Sequence, residues 1–373
     1  MSFKRAGLRH LQEQQTTLPP LRYKIDEWRL CPETASKFLE SHLDEGTENF
    51  LAEYCSGTEG CGMTFLGNMI RMFYSLTDSN AILQRGQMHV LSSAQLQLLL
   101  GPELEQGTLP RPSTLLDIGA GDGNVTEKLK PILTAEDDPV GGAKWKDRVV
   151  TTELSNYMVK RLRERGFACA QTTNITSEEL SPHLRCGSED DAKPSFDLIT
   201  LFNVIDRCDK PLSLLRQIKE LLTAADQGCP NGLLLLAVVL PWGPFVEDGN
   251  QQKEPSEPLP ACSRRLVWPV PQSELGEEVS HRRWLGEGEP LNQEQTPISR
   301  TNLESNCACC APFEKCVDWF VWNTLIPQGW EVIRWTRVPY ISAGDMNCPY
   351  YALDNAVFVL QPTSSSPIGL DLD

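Results

Sequence analysis

The chain has 373 residues and carries 50 Asp+Glu against 34 Lys+Arg, a formal net charge of −16. The length allows two domains or one elaborated domain. The acidic balance is the reverse of the basic footprint of nucleic-acid binders, and 40% hydrophobic residues exclude a chain disordered throughout. The longest aliphatic run, Leu233 to Leu240, is eight residues, against the ~20 that a membrane span needs. The start MSFKRAGLRH has charge but no apolar segment behind it, so no signal peptide is readable. The expectation is a cytoplasmic protein whose 13 cysteines are free thiols.

Residues 1–20 read as a flexible arm. From 21 to 112 the pattern predicts a helical cap and linker without strands. Phe38, Leu39, His42 and Leu43 share one spacing, then Phe50, Leu51 and Tyr54, then Met69, Met72, Phe73 and Leu76. A short helix follows over 93–100, and the Gly- and Pro-rich 101–112 is the linker. Between 113 and 247 apolar runs alternate with helical patterns. The runs are 113–118, 148–152, 167–170, 196–202 and 232–240, and the helices 124–133, 155–165 and 211–224. Such alternation predicts an α/β fold with a parallel sheet covered on both faces. Residues 248–311, rich in Pro, Glu, Gln, Ser and Gly, read as a structureless insertion. The segment 312–362 predicts a helix over 313–326 and an antiparallel strand pair over 330–338 and 355–360, before a tail at 363–373.

Three clusters carry chemistry. Leu115-Leu-Asp-Ile-Gly-Ala-Gly-Asp-Gly ends a strand at Gly119-x-Gly121-x-Gly123. Glycines there allow a tight turn and close approach of a ligand to the backbone, and the helix that follows presents free N–H groups. The dinucleotide fingerprint wants its third glycine one residue later. Asp117 suits a cationic or hydroxyl-bearing ligand. The turn is similar to motif I of the seven-strand S-adenosylmethionine methyltransferases. Glu153, at the end of the next strand, is the acid expected to hold ribose hydroxyls. The second cluster is Leu201-Phe-Asn-Val-Ile-Asp-Arg-Cys-Asp209, at the carboxyl end of a strand, where open α/β sheets bind ligands. Asn203 and Asp206 are expected to face the cleft, and Asp209 to cap the helix at Pro211. The third is Arg337-Val-Pro-Tyr-Ile-Ser-Ala-Gly-Asp345, read as a loop bearing Tyr340.

The stretches LLDIGAGDGNVT, TELS, LFNVIDRCDKPLSLL, LAVVLPWGPFVE and RVPYISAGDMNCPYYALDNAVFVL together resemble the DREV family, over about residues 25–250 and 312–362. Ile82-Leu-Gln-Arg-Gly-Gln-Met, with Ser92, resembles the family's segment ahead of the first strand. The resemblance implies a Rossmann-like, seven-strand class I methyltransferase with an N-terminal helical cap and a terminal antiparallel strand pair. It implies transfer from S-adenosylmethionine to the pros (N1) nitrogen of histidine in His-x-His motifs. Asp117, Gly119, Gly121 and Glu153 would then contact the cofactor, and Arg85 its carboxylate. Asn203, Asp206 and Tyr340 would face the target histidine. The chain departs from the family in its 248–311 insertion, in a longer loop after Thr126, and in lacking the apolar leader of some relatives.

Neutral imidazole is already a nucleophile near neutral pH, so the site has mainly to orient it. His10, His42, His89, His183 and His281 are all the histidines, and no two are two residues apart. The substrate is therefore another protein, and His89 is read as structural. Cys307, Cys309, Cys310 and Cys316 lack zinc-site spacing, and no metal is expected. Two other readings stay open: a methyltransferase acting on another amine or a small molecule, and a scaffold that binds without catalysis.

Overall fold

The computed structural model describes residues 18–55, 87–105, 112–134, 144–184, 194–222, 232–248, 251–259, 312–344 and 348–363. Its centre is a parallel sheet. The strands are β2 (Leu115–Ile118), β3 (Val149–Thr152), β4 (Ala168–Ala170), β5 (Leu198–Phe202) and β6 (Leu233–Val239). They lie in the order β6-β5-β2-β3-β4, every neighbouring pair parallel. The apolar runs seen in the sequence become strands buried along nearly their whole length, because parallel sheets are covered on both faces. Helices Asn156–Glu164 and Pro211–Leu221 each turn a row of buried residues inward: Met158, Val159 and Leu162, then Leu214, Leu215, Ile218 and Leu221. The chain leaves β2 to one side for β3 and returns on the other side as β5. That reversal opens a crevice at the carboxyl ends of the strands.

A long hairpin completes the sheet. β10 (Tyr350–Pro362) pairs antiparallel with β6, and β9 (Trp330–Ala343) pairs antiparallel with β10. The expected strand pair is therefore present, and it is longer than its apolar runs suggested. Tyr340 lies within β9, not in a loop. An eighth strand, β1 (Met88–His89), pairs antiparallel with β9 at Ser342 and Ile341.

The N-terminal block is less helical than its spacing suggests. Among the described residues its helices are Pro32–Ser36, Glu45–Tyr54 and Ser93–Glu105. Phe38 and Leu39 are not helical. Phe38 forms a bridge with Trp335, where Leu39 donates its N–H to the Trp335 carbonyl at 2.8 Å. The reason is the open edge of β9, whose backbone groups want partners more than this short segment wants a helix. The stretch 65–83 lies outside the described residues. The segment read as a structureless insertion also begins differently. Val246–Asp248 and Gln251–Lys253 form a hairpin of two strands, β7 and β8. Beyond it, Glu257 caps the helix Pro211–Leu221, accepting from the Ser213 N–H at 2.8 Å and hydroxyl at 3.1 Å. Asp209, the expected cap, instead accepts from the Ser256 N–H at 3.0 Å and hydroxyl at 2.6 Å. Residues 260–311 lie outside the described residues.

The block is fastened to the sheet by a buried polar chain. His89 is 1% exposed. Its Nε2 meets the Thr47 hydroxyl at 3.1 Å and its Nδ1 meets Lys128 Nζ at 2.8 Å. Thr47 in turn donates to Asp44 at 2.7 Å. Burial, reinforced by the Lys128 charge, pushes the imidazole down to about 3. Folded protein therefore keeps His89 neutral while the unfolded chain protonates it near 6.5, so stability falls as pH drops from 6.5 toward 3. Urea unfolding between pH 4 and 6.5 should show this dependence, and His89→Gln should flatten it by up to about 1.4 kcal/mol per pH unit. An unchanged slope in the variant would refute the assignment.

Candidate active site

The glycine turn sits at the carboxyl end of β2. Gly119, Gly121 and Gly123 have φ of +70°, +59° and +86°, values that L side chains rarely adopt. Each is glycine for a different reason. A Cβ on Gly119 would lie 2.4 Å from Val204 Cγ2, so Val204 packs directly beneath the turn. A Cβ on Gly123 would crowd Leu162 and Phe167 at 3.0 and 3.2 Å. A Cβ on Gly121 would meet nothing within 4 Å. Gly121 therefore faces open space, where a ligand can reach the backbone.

Asp117 shapes this turn from behind. It is 3% exposed. Its two carboxylate oxygens accept from the hydroxyls of Thr126 at 2.5 Å and Thr200 at 2.7 Å. Burial is the main cause that raises its carboxyl to about 6, with the Glu153 charge adding to it and the threonine hydroxyls opposing. Each oxygen thus already accepts one hydroxyl inside the protein, and the carboxylate lies behind the turn.

Glu153 follows β3 and is half-buried. Its Oε2 accepts from the Gly121 N–H at 3.0 Å, and its Oε1 from the N–H groups of Leu154 and Ser155 at 2.8 and 3.1 Å. The carboxylate thus clasps the glycine turn. A carboxylate has about four lone-pair sites, so three N–H bonds leave room for a ligand hydroxyl. The residues present fit a hydroxyl-bearing ligand laid over Gly121.

Across the crevice, β5 ends at Asn203. Its φ of +55° is the one positive value among the described non-glycine residues. The backbone is held there by its N–H, which donates to the Ala237 carbonyl at 3.0 Å. Neither Nδ2 nor Oδ1 of Asn203 has a hydrogen-bond partner among the described residues, and the same holds for Oδ1 of Asp206. Asp206 is 4% exposed. Burial raises its carboxyl, and the Arg207 guanidinium, 3.5 Å from Oδ2, opposes that rise. Arg207 is itself held over the Phe245 ring at 3.6 Å. Tyr340 is half-buried on β9 and donates its hydroxyl to the Met88 thioether. Burial, then the nearby Asp206 charge, pushes its phenol up to about 12. Leaving a buried polar group unpaired costs about 1–3 kcal/mol, so this cluster is held ready for a partner that can hydrogen-bond.

The structure therefore groups Asn203, Asp206 and Tyr340 on one side and Gly119, Gly121 and Glu153 on the other. Arg85 lies outside the described residues, as do Cys307, Cys309 and Cys310, while Cys316 is buried in the core. Among the described residues no group of acids, histidines and cysteines could hold a metal. Sequence reasoning missed Thr126, Thr200, Val204 and Met88. Thr126 and Thr200 follow Asp117 by 9 and 83 residues, and no local pattern marks so long a pairing. The glycines yield a direct test. Gly121→Ala should fold, at a cost of about 1–2 kcal/mol for its left-handed backbone, yet lose S-adenosylmethionine binding by calorimetry. Gly119→Ala should lose binding too, and Val204→Ala should restore part of it. Full binding by Gly121→Ala would move the ligand elsewhere.

The family model described as DREV methyltransferase matches residues 23–265 and 292–362. Among solved structures, the plantazolicin methyltransferase BpumL, in complex with a desmethyl-plantazolicin analogue and S-adenosylhomocysteine, is 14% identical at a TM-score of 0.22. That match covers 34% of this chain and 39% of BpumL. A protein studied for conversion of a disulfide bond into a thioacetal group in echinomycin biosynthesis is 12% identical at a TM-score of 0.32, over 71% of this chain and 81% of its own. A S-adenosylmethionine-dependent methyltransferase from Mesorhizobium loti is 18% identical at 0.23, over 38% of this chain and 53% of its own. With the family model spanning sheet, glycine turn and hairpin alike, the chain belongs to the DREV family of S-adenosylmethionine-dependent methyltransferases.

Proposed function

We propose that this methyltransferase modifies the pros (N1) nitrogen of histidine in His-x-His motifs of other proteins. The observation that carries the reading is that buried side-chain atoms of Asn203 and Asp206, beside Tyr340 at the carboxyl ends of β5 and β9, have no partner among the described residues. A flat ring that attacks through one nitrogen and keeps an N–H donor on the other suits such a set. The chemistry supplied by bound S-adenosylmethionine is an electrophilic methyl on a sulfonium sulfur. Gly119 and Gly121 would let the cofactor lie against the backbone. Glu153 would accept its ribose hydroxyls, and Arg85 would hold its carboxylate. Asp117 acts through the turn that it fixes.

Asp206 is the orienting group. Its free Oδ1 accepts a hydrogen bond from the ring nitrogen that is not methylated, which fixes the tautomer and stabilises the imidazolium formed, as carboxylates do for histidines elsewhere. Asn203 and Tyr340 set the plane of the ring or hold the second histidine. A chain of net charge −16 favours neutral or basic peptides. The chain's own His89 is enclosed and engaged on both nitrogens. We take the enzyme to act as a cytoplasmic monomer; no described helix is long and apolar enough to cross a membrane.

Labelled S-adenosylmethionine with two peptides tests this reading, one containing Ala-His-Ala-His and one with both histidines replaced by alanine. Label should enter the first alone, on a histidine by mass spectrometry. Label in neither, with the cofactor still bound, would end the histidine assignment. In the same assay Asp206→Asn should lower kcat by roughly 10²-fold or more and leave cofactor affinity within about twofold. Equal loss of both would remove Asp206 from the orienting role.

A further inference from the structure

Asn355 is a buried polar side chain with no part in the contacts described above. It lies in β10 and is 0% exposed. It pairs with Val239 of β6 on one side and Val338 of β9 on the other. Neither its Nδ2 nor its Oδ1 has a hydrogen-bond partner among the described residues. Buried amides are nearly always paired. Strand formation does not ask for one here, since Val357 and Val359 further along the same face belong to the apolar core.

The register gives this amide a place. Side chains alternate across a strand, so Asn355 shares a face with Val338 opposite it and with Tyr340 one diagonal step away, Tyr340 itself standing opposite Leu353. On the other flank, Asn203 is bonded to Ala237, two residues before Val239 on β6. Asn203, Asn355 and Tyr340 thus follow one another across the ends of β5, β10 and β9, with β6 between the first two. Among the described residues, neither asparagine's side-chain amide has a hydrogen-bond partner.

We propose that Asn355 is a positioning residue of the acceptor pocket, with its hydrogen bonds completed only when an acceptor is seated against Tyr340. The inference rests on the proposed transfer to histidine. A merely structural asparagine would be paired in the free protein; an unpaired one is dispensable for folding and needed for the acceptor. Asn355→Leu, which keeps the branched shape and removes the amide, separates the two. Its Tm should equal or exceed that of the wild type, and its affinity for S-adenosylhomocysteine should be unchanged. Its kcat/KM for the Ala-His-Ala-His peptide should fall at least tenfold, mostly through KM. Asn355→Ala guards against poor packing of leucine and should show the same loss for the peptide. Unchanged peptide kinetics in both variants would overturn the inference, as would a lower Tm in Asn355→Leu with activity lost only in proportion to folded protein. If wild-type enzyme labels no histidine peptide, the histidine reading falls by itself. The Tm of Asn355→Leu then decides this inference, a fall overturning it and an equal or higher value supporting it.

Discussion

The site depends on one carboxylate that no ligand needs to touch. Asp117 joins three elements at once: its own strand β2, the neighbouring β5 through Thr200, and the segment after the glycine turn through Thr126. Burying a carboxylate is costly unless hydrogen bonds replace the lost water. Two short hydroxyl contacts supply that replacement, and they work only if the turn brings Thr126 back over β2. The left-handed glycines permit this geometry, and Asp117 selects it. Glu153 closes the turn from the far side by accepting from Gly121. The glycine backbone is thus held between two acids, one enclosed and one at the rim. That is how a flexible sequence becomes a rigid platform.

A second constraint carries the acceptor side. Tyr340 belongs to β9, which sits two strands beyond β6, and its place is only as firm as the hairpin. Arg337 anchors that hairpin. It is 7% exposed, pairs with Asp354 of β10 at 2.7 Å and with Glu314 at 3.6 Å, and donates to the Lys24 carbonyl at 2.8 Å. Removing one partner of such a buried pair costs about 3–5 kcal/mol. The network ties the N-terminal chain, the helix Phe313–Phe320 and the hairpin together. Trp335 adds packing, with Phe38 at 4.8 Å and Phe358 at 6.0 Å. Residues far apart in sequence therefore share responsibility for where one phenol points.

What the sequence made legible follows from the range of each interaction. The parallel strands and the glycine turn were readable because continuous burial and positive φ impose strong local demands on residue type. Asn203 and Asp206 were readable because they directly follow a buried strand. Apart from the local β7–β8 hairpin, the errors involve distant partners. Phe38 and Leu39 kept helical spacing but were claimed by the edge of β9. Asp209 looked like a cap, yet Glu257 reaches the Ser213 N–H first and leaves Asp209 to hold Ser256. Tyr340 resembled a loop residue because Pro339 before it and Gly344-Asp345 after it read as loop, and nothing local shows the register that β10 imposes. For Asp117 the sequence shows the acid but not the two threonines that bond it.

The two halves of the crevice differ in how their polar groups are satisfied, and the difference matches what each must do. On the cofactor side every carboxylate has partners, so the surface is fixed before anything binds. On the proposed acceptor side Asn203 and Asp206 hold buried atoms that have no partner among the described residues. Such groups gain more from a matching ligand than exposed ones do, because water no longer competes for them. They also penalise a ligand that cannot pair with them, and this is the physical basis of discrimination by hydrogen bonding. An aliphatic amine could satisfy acceptors alone, and an apolar methyl acceptor neither kind of group. In the proposed transfer to histidine, one ring nitrogen attacks the methyl while the other keeps an N–H in the ring plane, and the Asp206 carboxylate is the partner suited to that donor.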